Sequence, residues 1–277
     1  MNRMGGYRMI RIALLHLNLA GGPRERNLPL LLGAAERAAA AGADWIVTPE
    51  TALEGYFFYA RRGRYEEGDG LSAYMAPFAA LARERHVTLF LSAVEKEGDA
   101  LYNSCFVITP SGIGGRHRKI HSHQHGAEAW VTEGKDCSLM DTRPVRAGLL
   151  VCADAYYEDT CQALRAQSPP VVLVSVAWPP GSCCPNPTAI WERCSDRCGA
   201  PVIVCNQTGY FPEMDMSSGK SALIEKGHCR FFYEGEPAIL LFRFDERRKQ
   251  SADKAFQIIP ADDALSGHFL SSAEPVK

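Results

Sequence analysis

Nowhere in the 277 residues does an apolar run approach the roughly 18 residues that a membrane-spanning helix requires. The longest N-terminal candidate, residues 9–15, is interrupted by Arg11 and closed by His16 and Asn18. It is shorter than the core of a secretion signal and lacks a small-residue cleavage site. Neither charge is in excess: Lys and Arg number 30, Asp and Glu 32, and the formal net charge is −2. Without a basic stripe, neither nucleic acid nor an anionic membrane is an expected partner. Short repeats, coiled-coil heptads, low-complexity blocks and Cys-x-x-Cys pairs are missing as well. What is left is an ordinary globular composition, 46% hydrophobic and 22% charged, long enough to bury a large core. Ten cysteines are present. With no secretion signal they read as reduced thiols of a cytoplasmic protein, most of them small buried hydrophobes.

Periodicity divides the chain into a disordered lead (residues 1–8), one α/β domain (9–245) and a polar tail (246–277) that wraps a surface or a partner subunit. Residues 9–15 predict a strand. Residues 27–41 predict a helix, with Asn27 as N-cap and Gly42 as its stop, and 44–48 a second strand. This β–α–β unit builds parallel sheets. Residues 49–70 read as a long loop, 71–86 as a helix, and 87–94 and 101–109 as a hairpin, followed by an irregular stretch over 112–136. In the second half, strands are expected at 145–151, 171–176 and 202–205, with helices at 154–167 and 188–199. Three antiparallel strands follow, at 222–224, 230–233 and 238–244.

In open α/β sheets, sites form outside the carboxyl ends of the strands. Glu50 follows one strand, Cys152 follows another, and Lys119 lies in the irregular stretch. A carboxylate, a thiol and an ammonium suit attack on an amide-like carbon. The thiolate is the nucleophile and needs a base to form it. A carboxylate in a partly dry pocket can serve as that base. The oxyanion of the tetrahedral intermediate needs a fixed cation or N–H donors, which Lys119 and the Ala153 backbone can supply.

The segments around these residues resemble the carbon–nitrogen hydrolase (nitrilase) superfamily. PETALEGY (49–56) is similar to its glutamate segment, GRHRKIH (115–121) to its lysine segment and GLLVCADAYYED (148–159) to its cysteine segment. YNSCFVITPSG (102–112) and VIVCNQTG (202–209) resemble two further stretches, in the same order. The resemblance implies a four-layer αββα sandwich, usually a homodimer or higher homo-oligomer, acting on a small-molecule substrate with no cofactor and no metal. It implies Glu50 as general base, Cys152 as the residue that forms a thioester, and Lys119 as oxyanion stabiliser. Glu128 is the preferred second glutamate, by spacing, over Glu133. Two departures concern the substrate: Tyr157, Glu158 and Asp159 replace the usual aromatic, proline and glutamate, and Ser218 to Ser221 blur a Gly-Ser strand signal. Nitrilases resemble one another in a Trp-Glu pair after the cysteine, where this chain has Ala153 and Asp154, so a linear amide or N-carbamoyl compound is preferred to a nitrile.

Other readings compete. His117, His121, His123 and His125 could bind a metal of a metallohydrolase, although no companion carboxylate motif completes a site. A non-catalytic binding relative would keep the fold and lose the reactive thiol. Tyr56 and Trp178 are expected pocket walls, with Cys183 and Cys184 nearby. Cys194 and Cys198, at i and i+4 on one helix, read as packing or as an oxidation-sensitive pair. Asp154 is expected to orient a loop through backbone N–H bonds.

Overall fold

The computed structural model describes residues 9–57, 71–142, 144–179 and 186–261. Two β–α–β–α–β runs organise them. The first comprises β1 (Met9–His16), α1 (Arg24–Ala40), β2 (Trp45–Val47), α2 (Leu71–Arg85) and β3 (Thr88–Glu97). It continues antiparallel into β4 (Ala100–Thr109) and β5 (Gly112–Arg118). After a short β6 (Leu139–Asp141), the second run comprises β7 (Arg146–Val151), α3 (Glu158–Arg165), β8 (Val172–Ser175), α4 (Pro187–Cys198) and β9 (Val202–Cys205). A small hairpin, β10 (Tyr210–Phe211) and β11 (Met214–Asp215), leads to the antiparallel β12 (Lys220–Glu225) and β13 (His228–Glu234). Within each run the strands joined by helices pair in parallel, as crossover connections require. The spatial orders, β1-β2-β3-β4-β5 and β7-β8-β9-β12-β13, are one arrangement used twice.

Alternation along β1 shows how the layers stack. Ala13 and Leu15 pack with Leu31, Ala35 and Phe78 of the first two helices. Ile10, Ile12 and Leu14 face the other way and share a core with Leu149, Val174 and Val204 of the second sheet. Cys161, Leu164, Ile190 and Trp191 of α3 and α4 close that core from the far side. The result is the αββα sandwich that the resemblance implied. β2 is buried at every residue, which is why it reads as an unbroken apolar run rather than an alternating one. Among the described residues, no helix is long and apolar enough to cross a membrane.

Several elements differ from the sequence reading. α1 begins at Arg24, and Asn27 lies inside it. Its buried amide donates to Leu19 O (2.8 Å) and Ala52 O (2.9 Å), holding two loops instead of capping the helix. Residues 112–118, expected to belong to an irregular stretch, form an edge strand. Gly114 is the extra residue of a bulge against β4, next to Gly115, on which a Cβ would stand 2.9 Å from Met140 Sδ. The helix expected over 154–167 is split into a 3₁₀ turn, Cys152–Ala155, and α3. The last strand, β14 (Ala238–Asp245), leaves the second sheet and pairs antiparallel with the whole of β1. From the tail, β15 (Gln250–Ser251) and β16 (Gln257–Pro260) both lie along β14. The lead 1–8, residues 262–277, most of the loop after Phe57, and Cys183 and Cys184 fall outside the described residues.

His16 ends β1 between the sheets. Its Nδ1 lies 2.9 Å from Ser221 Oγ on β12, and its ring stands edge-on to Tyr233. Burial holds its pKa down to about 4, with backbone hydrogen bonding to Gly235 and Asn206 opposing only in part. The unfolded chain takes up this proton near pH 6.5 and the folded chain does not, so this contribution is intact above pH 6.5 and is lost as the pH falls towards 4. Between those limits the loss is on the order of 3 kcal/mol. We expect His16→Gln to flatten this limb in urea titrations at successive pH values. An unaltered slope would assign the acid sensitivity to another group.

Candidate active site

Strand ends from both sheets meet at one edge of the sandwich. β2 delivers Glu50, β7 delivers Cys152, β8 delivers Ala177 and Trp178, and β9 delivers Asn206 and Gln207. Lys119 follows the last residue of β5. Polar contacts stitch the two sheets here. Ser175 Oγ donates to Thr48 O (2.9 Å), Glu50 N to Val176 O (3.3 Å), and Gln207 Nε2 to Glu50 O (2.7 Å). The Glu50 backbone is therefore fixed from the opposite sheet, which limits how far its carboxylate can wander.

That carboxylate is wholly buried and saturated with donors. Oε1 accepts from Lys119 Nζ (2.8 Å) and Asn103 Nδ2 (2.8 Å), and Oε2 accepts from Ala177 N (3.0 Å). The Cys152 thiol is close enough for it and the same carboxylate to shift each other's ionisation. Lys119 Nζ also donates to Glu128 Oε1, and Glu128 Oε2 accepts from His123 N (2.9 Å). Cys152 sits at the corner between β7 and the 3₁₀ turn with φ of 46°, a left-handed conformation that costs an L-residue about 1–3 kcal/mol. The corner holds its sulfur at the tip of the strand instead of along it.

Burial dominates the electrostatics. It pushes Glu50 above the ordinary carboxylate range, with Lys119 opposing. It pushes the Cys152 thiol well up, and the negative charge of Glu50 adds to this. Burial alone would lower Lys119, but Glu50, Cys152 and Glu128 outweigh it and hold the ammonium charged. Burial would likewise raise Glu128, and Lys119 reverses the sign, leaving it below the usual range. Two acidic groups, one ammonium and a thiol thus share one dry pocket. Ionising the thiol outright would add a negative charge to that pocket, whereas a proton passed from it to an ionised Glu50 would leave the total charge unchanged.

Asp154 ties these parts together. Its Oδ1 accepts from Ile120 N (3.0 Å) and His121 N (2.9 Å), directly after Lys119, and its Oδ2 accepts from Val151 N (3.0 Å), directly before Cys152. Oδ2 also lies 2.8 Å from His117 Nε2. One buried carboxylate so aligns the lysine segment with the cysteine corner. Burial would raise its pKa, but the hydrogen bond from His117 and those from the backbone outweigh it and hold it below the ordinary value. The loop-orienting part expected of Asp154 is what the structure displays.

The site gathers Glu50, Lys119, Glu128 and Cys152, with Ala153 next in the 3₁₀ turn. Tyr56 is beside them: burial and then the charges of Glu50 and Glu128 raise its phenol well above the usual value. Trp178 is buried with its ring edge-on to Trp191, and its backbone exchanges hydrogen bonds with the Asn206 side chain. Glu133 does not reach Lys119; it is exposed and accepts from Ser122 N and Oγ. The four histidines do not form one site. His117 belongs to Asp154, while His121 stacks on Tyr157 and pairs with Asp159. Sequence reasoning missed Asn103, Asn206 and Gln207 as positioning groups, although YNS and NQTG contain them. It also missed Glu54, which accepts from Arg24 (3.0 Å) and Val94 N (2.8 Å) and whose pKa is pushed up by burial to about 7.

The sequence profile described as "Carbon-nitrogen hydrolase" matches residues 11–228. A nitrilase from Pyrococcus abyssi is 27% identical over 172 residues, 59% of this chain and 63% of the relative. An (R)-stereoselective amidase from Pseudomonas sp. is 31% identical over 172 residues, 60% of each chain. The chain thus spans about three-fifths of the length of these relatives. An amidase from Nesterenkonia sp. shares the fold, with a TM-score of 0.75 at 20% identity over 86% of this chain and 90% of that one.

Proposed function

Because the chain belongs to the carbon–nitrogen hydrolase family, we propose that it hydrolyses a small linear amide or N-carbamoyl compound and releases ammonia. The observation that carries this reading is a single buried carboxylate, Glu50, bonded to the Lys119 ammonium at 2.8 Å and acting electrostatically on the neighbouring Cys152 thiol. Glu50 takes the thiol proton as the sulfur attacks the carbonyl carbon. Lys119 and the Ala153 N–H, which lies in the first turn of a helix where N–H groups lack intrahelical partners, stabilise the oxyanion. Glu50 then returns its proton to the departing nitrogen, and ammonia leaves a thioester on Cys152. A water deprotonated by Glu50 attacks the thioester, and collapse releases the acid and the reprotonated thiol. Glu128 keeps Lys119 charged and aimed throughout, and Tyr56 and Trp178 border the substrate. We take the working unit to be a cytoplasmic homodimer, to be tested by sedimentation and cell fractionation.

An ammonia-release screen over linear amides, ureido acids and nitriles tests this, with Cys152→Ala as the blank. We expect release from at least one amide or ureido acid and none from the variant. Release from nitriles alone would overturn the amide assignment. Undiminished release from Cys152→Ala would overturn the mechanism.

A further inference from the structure

On the side of the second sheet away from the first, three thiols converge. Cys161 projects from α3, and Cys194 and Cys198 project from adjacent turns of α4. Their sulfurs are separated by 3.6 Å (Cys161 to Cys194) and 3.9 Å (Cys194 to Cys198), and all three lie within 4.8 Å of one another. All three are buried and free of disulfides. Among the described residues, no other group brings three His, Cys, Asp or Glu ligand atoms this close together.

We propose that Cys161, Cys194 and Cys198 form a binding site for a thiophilic metal ion, zinc(II), that clamps α3 to α4. The spacing fits: with zinc–sulfur bonds of about 2.3 Å in a tetrahedral arrangement, thiolate sulfurs stand about 3.8 Å apart. Soft thiolate donors select zinc over hard cations such as magnesium or calcium. If the thiols were only filling space, each could point at any apolar neighbour. Instead, side chains from two helices aim their sulfurs at one point. The charge is also matched. Zinc with three thiolates is a net anion, and the positive charge of Arg197 acts on Cys161. Cys137, whose Sγ lies 3.8 Å from Thr160 O beside Cys161, interacts electrostatically with both Cys161 and Cys198 and is a candidate for a fourth position. Binding displaces the thiol protons to solvent, so affinity falls as the pH is lowered.

This inference does not depend on the hydrolytic reading, because Cys152 is not among the ligands. The test is cobalt(II) titration of the full chain, stripped with chelator and kept reduced with a phosphine. We expect intense thiolate-to-cobalt charge-transfer bands that saturate at one ion per chain and disappear on adding zinc. Cys152→Ala should retain these bands, while Cys194→Ser and Cys161→Ala should lose them. Zinc should raise the Tm of the parent chain and leave that of Cys194→Ser unmoved. Circular dichroism on the two ligand variants separates loss of metal from loss of fold. Absence of the bands, or their persistence in folded Cys194→Ser, would overturn the proposal. So would ready oxidation to a Cys161–Cys194 disulfide with no metal uptake.

Discussion

Glu50→Gln is expected to lower kcat/KM for the ammonia-releasing reaction by about 10³–10⁴-fold, with KM little changed, while the Cys152 thiol becomes more acidic. The two effects have one origin. The carboxylate is the base proposed to take the thiol proton, so replacing it with an amide removes that acceptor. Its negative charge is also, after burial itself, the largest cause that holds the thiol pKa up, and Lys119 remains to pull it down. A variant that merely distorted the site would lose turnover without making the thiol more acidic. The pair of readings therefore separates a base from a strut: steady-state kinetics for the first, and the pH dependence of iodoacetamide labelling at Cys152 for the second. A thiol that titrates no lower in Glu50→Gln would contradict the role assigned to the carboxylate.

Asp154→Ala should be the most damaging change outside the residues proposed to react. It removes the acceptor of three backbone N–H groups and the partner of His117, all in the interior. Breaking such a buried network from one side costs about 3–5 kcal/mol, because the groups left behind are neither solvated nor paired. For a chain of this size that is a fall in Tm on the order of 10 °C. Activity should drop further than stability, since the lysine segment and the cysteine corner lose their common anchor. Asp154→Asn keeps an acceptor for Ile120 and His121 but sets an amide N–H against Val151 N–H, and should fall between the two. The pH sign follows from a carboxyl held below its ordinary value. Its contribution is full above about pH 3.8 and is lost as the pH falls through the folded value, and both variants should lack that acid limb. Thermal unfolding across pH measures this directly, and an Asp154→Ala protein as stable as the parent would refute the anchoring role.

Much of the architecture is legible in the sequence because it is set by local rules. The apolar runs at β1, β2, β7, β8 and β9 and the helices between them dictate parallel pairing, and parallel pairing places strand exits at one edge. Glu50, Lys119 and Cys152 stand at such exits, so a site could be read from residues that are 69 positions apart in the case of Glu50 and Lys119. Glu128 could be told from Glu133 only by spacing, and the structure places Glu128 alone of the two against Lys119. What escaped the sequence depends on long-range partners. Asn27 looks like a helix cap because Asn at a helix start usually is one; here its amide is claimed by Leu19 O and Ala52 O. β5 is disguised by its bulge at Gly114. The break between Cys152 and α3 reflects the side chain of Asp154, which bonds to Val151 N and to the lysine segment 33 and 34 residues away. Of the thiol cluster, only the Cys194–Cys198 spacing was visible. Cys161 joins it because α3 packs on α4, and no local pattern encodes that contact.

The central claim is that the sulfur of Cys152 becomes covalently acylated while Glu50 carries the proton. Intact-protein mass spectrometry on rapidly quenched turnover with an amide substrate tests it most directly. An adduct of the acyl mass should map to Cys152, appear before the free acid, and be absent together with ammonia release in Cys152→Ala. Hydrolysis that proceeds in Cys152→Ala, or an adduct that maps to another residue, would contradict it.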